Sequence, residues 1–199
     1  MGYAMSWIGV EATTANALYA RLGVSETGAG GDFGDFKLAG LKAPNGWHMI
    51  TAMRCDHPIV SRRILPALSV GTGAVACSIE EHVMYSSAAC WRDGQEIWRV
   101  QHQGDRDVLH IEITGTPPEN FEDLRARQFA EQAENDRARA KGDYGVDYIF
   151  DIPLELARSM VGFRHDLDNP GIDENGFREL RQQPGAGLLA SARPWWKFW

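Results

Sequence analysis

No hydrophobic run in the chain approaches the length of about 18 residues that reads as a membrane-spanning helix. Nor does a charged segment followed by an apolar one open it, so the expectation is a soluble, untargeted protein. Cysteine is scarce. Cys55, Cys77 and Cys90 are an odd number with no Cys-x-x-Cys pair, which argues against a disulfide framework and for a reducing cytoplasm. An excess of basic charge is missing too. With 20 Lys and Arg against 27 Asp and Glu the net charge is −7, and the excess of acid lies beyond residue 72. Phosphate neutralisation needs a basic face, so no nucleic-acid partner is expected.

Complete catalytic motifs are lacking as well. Gly28-Ala29-Gly30-Gly31 fails the dinucleotide fingerprint at its sixth place, and no Gly-Lys-Ser/Thr follows. There is no His-Glu-x-x-His and no Gly-x-Ser-x-Gly. No cofactor is therefore expected. Residues 24–46 read as a long Gly-rich loop.

What is present is an ordinary globular composition: 199 residues, 44% hydrophobic and 24% charged, enough for one well-packed domain. The stretch Gly73–Thr114 organises it. Aromatic and β-branched runs flank Asp93-Gly94, a strong hairpin signal, and Gly104–Asp107 makes a second turn before the alternating Val108–Thr114. These runs predict a meander of three or four antiparallel strands. Around it, Ser6–Val10 reads as a strand, Ala15–Leu22 as a helix stopped by Gly23, and Trp47–Met53 as another strand. Ser61 caps a short helix interrupted by Pro66. A long helix from Pro117 to about residue 141 has apolar anchors only in its first half. Asp151 caps a last helix that ends at Gly162. The fold class is α+β: a mainly antiparallel sheet with a central meander, helices packed largely on one face, and an extended C-terminal tail. The domain spans 1–165, and 166–199 reads as a polar linker with an aromatic end.

Two sets of residues are candidates for function. Trp195, Trp196, Phe198 and Trp199 put four aromatics into five residues, a patch that folding back, a protein partner, self-association or a membrane interface could cover. The acidic body disfavours the membrane. The second set is Cys55, His57, Glu80 and His82, ligand types for a transition metal without the spacing of a metal motif. Ser86, Ser87 and Cys90, with His82 or His102 as base, are a nucleophilic alternative. On a continuous strand Glu80 and His82 would share the wet face, with Glu81 opposite.

Cys-Asp-His-Pro at 55–58, Glu-Glu-His-Val-Met at 80–84, Trp-Arg-Asp-Gly at 91–94, Asp-Ile-Pro-Leu-Glu-Leu-Ala at 151–157 and Gly-Phe-Arg-His-Asp at 162–166 resemble a group of uncharacterised bacterial proteins. The resemblance covers most of the chain and implies no catalytic residue. The reading that follows is a small cytoplasmic binding or regulatory protein without catalysis. The alternatives are a metal-assisted or Cys/His-dependent hydrolase, and a homo-oligomer subunit whose tails dock on neighbours.

Overall fold

Strand β1 (Ala4–Val10) shows why the chain builds two cores. Met5 and Trp7 lie on one face and Ile8 and Val10 on the other, and all four are buried. A strand buried on both faces belongs in the middle of a sheet, and β1 pairs antiparallel with a neighbour on each side. The computed structural model describes residues 2–11, 14–139 and 146–191.

Helix α1 (Ala15–Leu22) starts at Thr14, whose hydroxyl accepts from the Ala17 amide at 3.2 Å. It stops at Gly23, whose φ of 76° is left-handed and where a Cβ would collide with the Ala186 carbonyl. Both boundaries agree with the sequence reading. The expected loop at 24–46 does not. It contains β2 (Val24–Gly31) and β3 (Leu38–Lys42), followed by β4 (His48–Ala52). The glycines hide a bulge: the register of β2 shifts between Glu26 and Gly30, a conformation glycine permits.

Helix α2 (Leu65–Leu68) is only four residues, with Pro66 in its first turn, where a missing amide hydrogen costs little. The meander then has four strands. The run Gly73–Trp91 breaks at a 3-10 turn, Glu81–Val83, into β5 (Gly73–Glu80) and β6 (Tyr85–Arg92). Asp93 and Gly94 lead to β7 (Gln95–Gln103), and β8 (Glu112–Gly115) closes the meander. β8 is shorter than the alternation suggested because the Asp107 carboxylate and carbonyl accept from Leu109 and His110, bending 107–110 into a turn. Helix α3 (Phe121–Arg139) begins beyond both prolines, not at Pro117, since a residue before proline is driven out of helical geometry. Helix α4 (Asp151–Val161) does end at Gly162, but Asp151 lies inside its first turn. The carboxylate that accepts there is Asp147, from the Phe150 amide at 3.0 Å.

The stretch 166–187, read as linker, supplies β9 (Phe177–Gln182) and the start of α5 (Gly187–Ser191). β9 enters the sheet between β2 and β3, so the nine strands run β2-β9-β3-β4-β1-β5-β6-β7-β8, antiparallel throughout. The sheet therefore extends past residue 165. The two long helices, α3 and α4, cover one face, where Trp7, Val75, Cys77, Val100, Leu156 and Phe163 form the core. The short helices α1, α2 and α5 cover part of the other, over Ile8, Ile50, Ala76 and Trp91. The end of α3, read as solvated, holds a buried Gln132 that accepts the Tyr148 amide at 2.8 Å and anchors the returning chain. No helix among the described residues is long and apolar enough to cross a membrane. Trp195, Trp196, Phe198 and Trp199 lie outside the described residues.

Candidate functional site

Beyond β4 the chain turns sharply, with the Ser6 hydroxyl holding the Arg54 carbonyl at 2.9 Å, and this turn carries Cys55 and His57 onto the face of the short helices. His57 caps the 3-10 turn Pro58–Val60, its Nδ1 accepting from the Ile59 amide at 3.3 Å. Burial first, then the nearby Arg54 guanidinium, pulls its pKa down to about 4. At neutral pH the ring is uncharged, and with Nδ1 accepting, Nε2 carries the hydrogen. Burial, then the Glu80 carboxylate, pushes the Cys55 thiol up to about 11. At neutral pH such a cysteine is held as the thiol, a poor nucleophile.

Glu80 and His82 keep company with each other instead. His82 sits in the turn after β5, not on the strand, and its Nδ1 lies 2.7 Å from Glu80 on a side chain 64% exposed. The proposed quartet of Cys55, His57, Glu80 and His82 does not assemble. Among the described residues no three His, Cys, Asp or Glu side chains are placed to hold a metal ion. The break in the strand that separates them is also what turns Glu81 towards its own partners, the His165 Nε2 at 2.9 Å and the Tyr3 amide at 2.7 Å.

Ser86, Cys90 and His102 of the nucleophilic alternative have other surroundings. Ser86 donates to the Phe150 carbonyl at 2.7 Å, and Cys90 is buried with its pKa raised by burial. His102, fully buried, faces the Asp147 carboxylate at 2.9 Å through Nε2 and the His110 carbonyl at 2.7 Å through Nδ1. An Asp–His pair serves catalysis when the second nitrogen meets a hydroxyl or thiol. Here it meets a backbone carbonyl, and the pair pins the segment before α4 to β7.

Sequence reasoning missed two arrangements. Arg164, its side chain 8% exposed, reaches Asp151 at 2.6 Å, Glu155 at 2.7 Å and Asp166 at 2.7 Å. Burial nevertheless lifts Asp151 to about 6, against the pull of Arg164. The i, i+4 spacing of Asp151 and Glu155 before an arginine was a readable signal for this clasp.

The second is a groove of about 800 Å³ between the start of β3, the end of β4, β9 and α5. A smaller cleft of about 380 Å³, lined by Cys55, Ser61, Ser78 and Tyr85, adjoins it, and His57 lines both. The larger groove could not be found without β9. No family model, curated protein or solved structure matches the chain.

Proposed function

We propose that the chain is a non-enzymatic binding protein, acting in a reducing cytoplasm, that recognises its partner without transforming it. The observation that supports this is the contrast between its polar side chains and its surface. The histidines and carboxylates in catalytic-looking pairs are engaged in holding the fold, while two adjoining clefts meeting at His57 stay open. Three cysteines without a disulfide fit the reducing setting. Trp195, Trp196, Phe198 and Trp199 belong to the proposal as partner contacts. The test is capture from a native lysate with mass spectrometry, comparing the full chain with one stopped after Ala192. A stoichiometric partner lost on truncation supports the reading. Turnover of a substrate that disappears with His57→Ala sinks it.

Self-association is a second reading, favoured by β8. It is the sheet's edge, all four of its residues are exposed, and Ile97, Val108, Leu109 and Ile113 are exposed in and beside it. An open strand edge with apolar neighbours invites another strand. Sedimentation that gives a monomer at every concentration disposes of this reading.

A further inference from the structure

The lining of the large groove carries three basic side chains, Lys37, Arg54 and Arg181, and two acidic ones, Asp35 and Glu179, a slight basic excess in an acidic chain. The chain carries −7, yet two cations at the groove, Lys37 and Arg181, have no ion-pair or hydrogen-bond partner for their side chains among the described residues. The other charged side chains there have partners, the two carboxylates with neutral donors that leave their charge in place. Asp35 accepts from the Asp32 amide at 3.1 Å, Glu179 accepts from the Thr27 hydroxyl, and Arg54 is paired with Asp56. His57 adds no negative charge.

Both cations line the groove, and the sheet register, extended beyond the last paired residues of β3 and β9, brings them together. β3 pairs with β9 so that Ala39 stands opposite Glu179. Continuing that antiparallel register by one pleat sets Lys37 opposite Arg181, on the same face. Like charges directly across a strand pair repel, and an anion held by both removes the repulsion. On the face of the two cations the half-buried side chains of Phe36 and Met53 supply an apolar lining, while Leu38, Leu180 and Leu189, from the core on the opposite face, complete the groove. The volume lies within the range of small-molecule sites.

We propose that this groove binds a small organic anion, its apolar body on Phe36 and Met53 and its carboxylate or phosphate held by Lys37 and Arg181. The proposal rests on the reading of the chain as a binding protein and gives one of its clefts a ligand class. Recognition needs both parts. The oxyanion supplies charge complementarity, which selects the ligand, and the apolar body supplies the buried area.

The experiment is isothermal titration of the full chain with octanoate, octyl phosphate and octanol, all below micelle formation. Acetate serves as a charge-only control. Saturable one-to-one binding of the octyl anions, absent for octanol and acetate, is the expected result. Which anion binds tighter tells carboxylate from phosphate. Lys37→Glu and Arg181→Glu, both at exposed positions where folding tolerates change, each weaken binding by about fivefold or more, and added salt weakens it further. No saturable binding of either anion, equal binding of octanol, or affinity unmoved by both reversals overturns the proposal. If the anions fail to bind while a partner is still captured from lysate, the ligand class falls and the binding reading stands.

Discussion

The Asp147 carboxylate lies 2.9 Å from Nε2 of His102, across 45 residues of sequence, while the other ring nitrogen is 2.7 Å from the His110 carbonyl. The His110 carbonyl can only accept, so Nδ1 carries the hydrogen of that bond and Nε2 meets the carboxylate. The arrangement ties β7, the 104–111 turn and the entry to α4 at one point. Removing one partner leaves the others buried without a mate. His102→Ala is expected to lower stability by about 2–4 kcal/mol, read as the shift in a urea unfolding transition. Its effect on partner capture should be no larger than that loss explains. A midpoint unchanged within error contradicts this role.

The second expectation concerns Arg164, which meets three carboxylates from a nearly buried position. Arg164→Met keeps the bulk and deletes the charge, leaving Asp151, Glu155 and Asp166 to repel one another. The expected cost is about 3–5 kcal/mol by chemical denaturation. Restoring charge balance with Asp151→Asn in the same chain should recover part of it, because the two positions are coupled. Strict additivity of the two losses would show that the clasp is not a unit.

Two groups give opposite pH dependences in one window. His57 is held neutral, with its folded pKa of about 4 below the ordinary value of 6.5, so the stability it contributes is lost as pH falls through that interval. Asp151 has a folded pKa of about 6, above the ordinary 3.8, so folding takes up a proton there and stability rises as pH falls through that interval. The two contributions oppose each other. His57→Gln should leave a chain more stable at about pH 5 than at about pH 7, and Asp151→Asn the reverse, each by about 1–2 kcal/mol. Unfolding midpoints at the two pH values decide it, and the same slope in both variants refutes the assignment.

Cysteine reactivity follows from burial. With the Cys55 thiol at about 11, its alkylation by iodoacetamide near neutral pH should be at least tenfold slower than that of a free thiol and rise steadily with pH. Cys77 and Cys90 are buried and should react only on unfolding. Peptide mapping after timed labelling tests all three. Rapid labelling of Cys55 at pH 7 would point to a thiolate and reopen a catalytic reading.

The position of β9 makes a different test possible. A chain stopped after Asp166 lacks the strand between β2 and β3, and it should fail to give a dispersed amide spectrum. A folded product would show that the sheet closes without it.

How far the fold was readable depends on how local each signal was. α1, with Thr14 before it and Gly23 after it, and the hairpin at Asp93-Gly94 were legible because cap, stop and turn each involve a few neighbouring residues. β2 and β9 were not. Gly28, Gly30 and Gly31 lower strand propensity, Phe177–Gln182 carries Arg178, Glu179 and Arg181 without a clean apolar alternation, and each becomes a strand by pairing with a segment about 150 residues away. The site followed the same division. Cys55 and His57 were found, because both residue types stand out in a sequence, and both line a cleft. Grouping Glu80 and His82 with them as metal ligands rested on residue type alone, whereas the chain turns at 81–83 and His82 meets Glu80 on an exposed turn. Lys37 and Arg181 were invisible, since only the insertion of β9 beside β3 brings them into one groove.

That register also has a consequence for synthesis. As the chain leaves the ribosome, β1 and β3–β8 have all their mutual partners by residue 115, whereas β2 must wait for residue 182. During that interval β3 presents an open edge to the cell and β2 has nothing to pair with. Such edges are where nascent chains aggregate, and long-range pairings of this kind close late, because loop-closure entropy opposes them until the ends meet. The glycines of β2 then acquire a second use: a strand so poor in β-forming side chains is a weak template for a foreign one while it waits.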